Sequence, residues 1–161
     1  MINQSYLKEI LNYNPSTGLF TWKTEKRYGI KLNKIAGCNS HGYIAIKVNG
    51  KKYAAHRLAW LYVYGKFPNN MIDHINGIRH DNRIENLRDV TSEINQQNQI
   101  KPRSKNSSNF LGVNFEKNLG KWKAQIQANK VKKYLGLFET PELAYEAYLI
   151  AKRELHEGCT L

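Results

Sequence analysis

Asp73 and His74 are adjacent, and an asparagine-rich polar stretch follows them. It runs Ile75-Asn76-Gly77-Ile78-Arg79-His80-Asp81-Asn82-Arg83-Ile84-Glu85-Asn86-Leu87-Arg88-Asp89-Val90-Thr91, with Asn95 and Asn98 beyond. Phosphodiester hydrolysis calls for these residue types. A base must activate water, a Lewis acid must stabilise charge building on the phosphate and the leaving oxygen, and both must be held rigidly. His74 titrates near neutrality and suits the base. Asp73 offers a hard carboxylate oxygen to Mg²⁺ or a similar ion, and Asn95 can add an amide oxygen. Mg²⁺ often takes only one or two protein oxygens, with water and phosphate completing its shell, so a set this sparse suffices. The Asn86 side chain can hydrogen-bond backbone groups and hold the loop. Plainer uses exist nearby: Asp81 and Asn82 suit turns, His80 a solvated loop and His56 packing. Arg83 and Arg88 suit phosphate contact or loop bracing alike.

The chemistry needs elements that converge. Neighbours on a strand point to opposite faces, so Asp73 and His74 meet only if the strand ends there and the chain turns into the loop. Met71-Ile72-Asp73 and Leu87-Arg88-Asp89-Val90 read as short strands around that loop. Thr91 or Ser92 can cap a short helix toward Gln99 that carries Asn95. Upstream, the sequence predicts a helix over Tyr6–Leu11 capped by Ser5, a turn over Asn14–Gly18 and a strand over Leu19–Trp22. Gly42–Val48 and Lys51–Ala54 flank Asn49-Gly50, a hairpin signal because Asn-Gly adopts the positive φ of a type I′ turn. Ala55, Leu58, Ala59 and Tyr62 fall on one helical face, which Gly65 can end. The polar, basic stretch from Ile100 to Ser108 reads as a linker. Beyond it come three strands, Phe110–Phe115, Lys121–Ala128 and Lys132–Phe138. A helix follows, with Thr140 as N-cap, Pro141 at its first position and an apolar face of Ala144, Ala147, Tyr148, Ala151 and Leu155. The expected organisation is a first domain over 1–99, a basic linker over 100–109 and a second domain over 110–161.

The chain has 161 residues, room for one or two small domains. No run approaches the roughly 18 apolar residues of a membrane span, and the start lacks the pattern of a signal peptide. A cytoplasmic protein without a membrane partner is expected. Cys38 and Cys159 are far apart and form no Cys-x-x-Cys, which argues against a structural zinc site. Lys and Arg outnumber Asp and Glu by 25 to 13, a net charge of +12 spread over both halves. Such a basic chain suits a polyanionic partner, nucleic acid first among them.

The spacing Asp73-His74, Asn86, Asn95, with the filler Asp81-Asn82-Arg83-Ile84-Glu85-Asn86-Leu87-Arg88, resembles the HNH homing endonucleases of phages and introns. The upstream Tyr53-Ala54-Ala55-His56-Arg57-Leu58-Ala59-Trp60 resembles the segment that precedes the motif there. The resemblance implies an α+β fold in which a hairpin/helix unit leads into a ββα-metal (His-Me finger) core. It implies His74 as general base, Asp73 and Asn95 as ligands of one divalent ion, Mg²⁺ or Mn²⁺, and Asn86 as the loop-fixing residue of the motif. Asn95 stands where the family's name has histidine, as in a known subgroup. A further resemblance rests on Gly112-Val113, Gly120–Ile126, Leu135–Phe138 and Thr140–Tyr148. These look like the DNA-binding domain of plant ethylene-response factors, a three-stranded antiparallel sheet backed by one helix. The matching positions would face double-stranded DNA with Asn114, Gln125, Gln127, Lys132 and Tyr134, and with Lys121, Trp122 and Lys123 nearby. The plant domains use several Arg where this chain has Leu111, Asn114 and Glu116. Arg83, Arg88 and the linker cations Lys101, Arg103 and Lys105 would add phosphate contacts. The expected activity is metal-dependent DNA cleavage of homing type, nicking or double-stranded, by a monomer or homodimer encoded by a phage or mobile element in a bacterial host. The alternative is a non-catalytic DNA-binding regulator built from the same modules.

Overall fold

The computed structural model describes residues 2–23, 32–99, 102 and 108–160. By its contacts the chain divides into two units, 1–92 and 93–161. Both mix helix and antiparallel sheet. The linker cations Lys101, Arg103 and Lys105 lie outside the described residues.

In the first unit, helix α1 spans Gln4–Ile10. Its N-cap is Asn3, whose side chain accepts from the Tyr6 amide, and not Ser5, which lies inside the first turn. The helix stops before Leu11 because strand β1 (Leu11–Asn14) begins there and pairs with β2 (Leu19–Trp22). Leu11 and Tyr13 of β1 and Phe20 and Trp22 of β2 are buried by the alternation of the hairpin. Strands β3 (Cys38–Ser40), β4 (Tyr43–Val48) and β5 (Lys51–Ala54) form the next sheet, in that order. Asn49 and Gly50 both have positive φ between β4 and β5, the conformation their types predict. Helix α2 (Ala55–Tyr64) follows directly and ends at Gly65. It places Ala55, Leu58, Ala59 and Leu61 in one core with Leu7, Phe20, Ile46 and Val48. Strand β6 (Met71–His74) then pairs with β7 (Leu87–Val90), setting Asp73 opposite Arg88 and His74 opposite Leu87. A single 3₁₀ turn, Ile84–Asn86, feeds β7.

The short helix α3 (Ser92–Gln97) counts with the second unit. Its surroundings bond to the last helix of the chain and to the residues after it. Gly158 N donates to the Gln97 side chain at 3.0 Å, the Thr160 hydroxyl donates to Asn98, and the buried Lys152 ammonium donates to Gln99 O at 2.6 Å. Strands β8 (Val113–Glu116), β9 (Lys121–Ala128) and β10 (Val131–Phe138) form a three-stranded antiparallel sheet with β9 in the centre. Helix α4 (Pro141–Leu155) is capped by Thr140, has Pro at its start, and packs Ala144, Tyr148 and Ala151 against the sheet. Val113, Ala124 and Ile126 are the sheet's buried contribution.

Candidate active site

His74 is the last residue of β6, directly after Asp73 in the strand. The chain turns at once: Ile75 N donates to Asn86 O at 2.9 Å and Gly77 N to His74 O at 2.8 Å. Asp73 and His74 are each only 5% exposed. Arg88, across the ladder, donates from Nε (2.8 Å) and Nη2 (2.7 Å) to Asp73 Oδ2.

The loop from Ile75 to Asn86 is held by its own side chains. Asn86 Oδ1 accepts from Asn76 N at 3.0 Å and Asn86 Nδ2 donates to Asp81 O at 2.8 Å, which ties the two ends of the loop. Asp81 accepts from Arg83 Nε (2.9 Å) and Nη2 (2.8 Å) and from Asn76 Nδ2 (2.7 Å). The Arg83 hydrogen bonds hold the Asp81 carboxyl down to about 2, against a smaller upward push from burial. Arg83 also pairs with Glu85 at 2.8 Å. Arg83 and Arg88 therefore brace carboxylates within the fold. Asn95 is carried by α3, and Asn98 beyond it is buried with its side chain receiving Thr160.

Asn82 does more than shape a turn. It is 2% exposed, and its Oδ1 lies 3.4 Å from His74 Nε2. Its Nδ2 donates to His80 O at 3.3 Å, which fixes which end of the amide faces the histidine. An amide oxygen only accepts, so this contact favours the tautomer with the proton on Nε2 and the basic lone pair on Nδ1. The Tyr13 hydroxyl donates to Asn82 O at 2.7 Å, and burial raises Tyr13 to about 12, so it stays a donor. Gly18, at φ +71°, lets the β1–β2 turn press on the same backbone. A Cβ there would come within 2.5 Å of Arg83 N and 2.6 Å of Asn82 C. The sequence signal for Asn82 was its place before Arg83 in the loop, which turn propensity alone accounts for equally well.

Burial lowers the His74 pKa, opposed by the Asn82 hydrogen bond and then by the Asp73 charge. The imidazole is thus neutral at neutral pH, the state that accepts a proton. His56, on α2, stands edge-on to His74 with ring centroids 5.2 Å apart, and Tyr43 lies 5.4 Å from His56 and 5.9 Å from His74. Burial first, then the charges of His74 and Arg57, drive His56 down to about 4. Its Nδ1 is buried with no hydrogen-bond partner among the described residues. His80 is exposed.

No three His, Cys, Asp or Glu side chains group to hold a metal among the described residues. A magnesium-type site does not need three. Asp73 and Asn95 are a carboxylate and an amide, hard oxygen donors of the kind that ion takes through one or two protein contacts.

Residues 53–97 match the family model for HNH endonuclease. The matched segment runs from β5 through α3 and contains His56, Asp73, His74, Asn82, Asn86 and Asn95. It supports a nuclease, an enzyme acting on DNA. Outside the HNH segment lie Tyr13, Gly18 and Tyr43, which touch it from the N-terminal hairpin and from β4. No curated protein and no solved structure matches the chain. No helix among the described residues is long and apolar enough to cross a membrane.

On the sheet of the second unit, register sorts the residues by face. Asn114 lies opposite Lys123, Glu116 opposite Lys121, Gln125 opposite Tyr134 and Gln127 opposite Lys132. Alternation puts this set on the side away from Ala124 and Ile126. Trp122 belongs to the other set: it packs on the Val113–Ala124–Ala144 core, with Phe115 at 4.9 Å. Lys121 pairs with Glu139 at 2.8 Å and Lys123 with Glu116 at 3.6 Å. Such exposed pairs are weak and exchange readily.

Proposed function

We propose that this protein is a divalent-metal-dependent DNA endonuclease of homing type, with His74 as its general base. The observation that carries the reading is a buried imidazole at the end of β6, next to Asp73 in the strand, whose pKa burial lowers and whose Nε2 lies 3.4 Å from Asn82 Oδ1. In the tautomer this contact favours, Nδ1 takes the proton from the attacking water. Asn86 keeps the loop closed around the base through its two backbone bonds. A Mg²⁺ or Mn²⁺ ion held by Asp73 and Asn95 would supply Lewis-acid stabilisation of the charge on the phosphate and on the departing 3′ oxygen. The products carry 5′-phosphate. Arg88 holds the Asp73 carboxylate in place through its two nitrogen donors.

The second unit anchors the duplex through the sheet face of Asn114, Lys121, Lys123, Gln125, Gln127, Lys132 and Tyr134. Amide side chains there read bases, adenine above all, and lysines hold phosphates. Lys101, Arg103 and Lys105 of the basic stretch add phosphate contacts.

The test is incubation of the full chain with supercoiled plasmid and Mg²⁺. The account expects nicked or linear DNA with ligatable 5′-phosphate ends, and no product in EDTA. Tight duplex binding with no cleavage in Mg²⁺ or Mn²⁺ would favour the non-catalytic regulator instead.

A further inference from the structure

We infer that Arg79 is a DNA-phosphate contact beside the base, an assignment that rests on the endonuclease reading and deepens it. Three arginines occupy the 73–91 stretch. Arg83 is matched by Asp81 and Glu85, and Arg88 by Asp73. Arg79 is exposed and meets no carboxylate among the described residues.

Its side chain is nonetheless placed. The guanidinium carbon stands 5.2 Å over the Tyr43 ring. Nη1 makes a long bond, 3.5 Å, to His41 O. The stem lies along Gly42, where an added Cβ would sit 3.5 Å from Arg79 Cδ. Gly42 ends a tight turn in which Asn39 Oδ1 accepts from Gly42 N at 3.0 Å. The turn between β3 and β4 thus serves as a shelf for this cation.

The shelf faces the site. Tyr43 carries Arg79 on its ring and lies 5.9 Å from His74, so one aromatic ring separates the two. A strand whose scissile phosphate meets His74 brings that phosphate, or the next along the chain, to the guanidinium. A guanidinium fork matches phosphate oxygens in pairs, and its weak hydration and stacking on tyrosine favour this use over lysine. A brace for the turn would need only the one carbonyl bond. The remaining donors, and a charge that meets no carboxylate among the described residues, are what a phosphate would use.

The experiment compares wild type, Arg79→Gln, Arg79→Lys and His74→Ala as full-length proteins. Plasmid cleavage is followed in Mg²⁺, and binding to a labelled mixed-sequence duplex is followed across salt. We expect Arg79→Gln to lose about 10- to 100-fold in kcat/KM. Its plot of log affinity against log salt should flatten by about one unit, with Tm unchanged. Arg79→Lys should restore the salt slope and only part of the rate. Wild-type rate and slope in Arg79→Gln, with His74→Ala inactive, would overturn the inference and leave the endonuclease reading standing. A fall in Tm that accompanies the lost rate, unrelieved by Lys, would reduce Arg79 to a brace and also overturn it. Full cleavage by His74→Ala would sink the endonuclease reading itself. The salt slope of Arg79→Gln would then decide the phosphate contact alone, a flattened slope supporting it and an unchanged one overturning it.

Discussion

A histidine serves as a base only if it is neutral and its basic nitrogen is the one presented to water. Burial favours the first condition at His74 by lowering its pKa, and the Asn82 oxygen 3.4 Å from Nε2 favours the second. Asn82→Ala should therefore cut the cleavage rate about 10- to 100-fold, the usual cost of removing a group that orients a reacting side chain. Duplex affinity should hold, because the Tyr13 bond goes to the Asn82 backbone and survives the change. An unaltered rate in Asn82→Ala would refute the orienting role. His56 gives a pH prediction. Its folded pKa, about 4, lies below the ordinary 6.5. The unfolded chain therefore takes up that proton first as pH falls, so stability is full above 6.5 and declines on the way down to about 4. Chemical denaturation across that range should show the decline, and His56→Gln should flatten the part owed to this residue. Equal slopes in the two proteins would contradict the burial argument. Asp73, His74, Asn86 and Asn95 stood out in the sequence because few folds gather such types at such spacing. Asn82 and Arg79 did not, because their meaning depends on which atom faces which, and composition holds no record of that.

At the scale of elements, the β1–β2 hairpin buttresses the Ile75–Asn86 loop from far away in sequence. Tyr13 bonds Asn82 O, and Gly18 touches the Asn82–Arg83 backbone where no side chain fits. Gly18→Ala combines a left-handed φ with that close approach and should cost about 1–3 kcal/mol of stability. It should also slow cleavage by displacing Asn82. Loss of activity with no loss of Tm, or the reverse, would separate strain from loop displacement. Tyr13→Phe, which leaves a buried carbonyl without its donor, should cost about 1–3 kcal/mol and act on the same loop. The Asn49-Gly50 hairpin, α2, β6, β7 and α4 were legible because local chemistry decides them: turn residues, amphipathic spacing, an N-cap followed by proline. β1 and β3 were not. Leu11 continues a helical pattern and joins a strand only because Trp22 pairs with it, and Cys38–Ser40 has polar residues whose ladder partner lies across a turn.

Across the whole molecule, a net charge of +12 makes DNA affinity a matter of salt. If six to ten phosphates are neutralised, affinity should fall roughly 10³- to 10⁵-fold between low and moderate salt. Lys132→Ala should weaken binding to all sequences alike and shallow the slope, while Gln125→Ala should change base preference and leave the slope alone. Binding that ignores salt would contradict the basic-surface argument. The central claim is tested most directly by comparing plasmid cleavage by wild type and His74→Ala in Mg²⁺ at matched occupancy of the DNA. The account predicts a rate lower by about 10²- to 10⁴-fold in the variant, the usual contribution of a general base, with duplex affinity retained. Equal rates in the two proteins would contradict it.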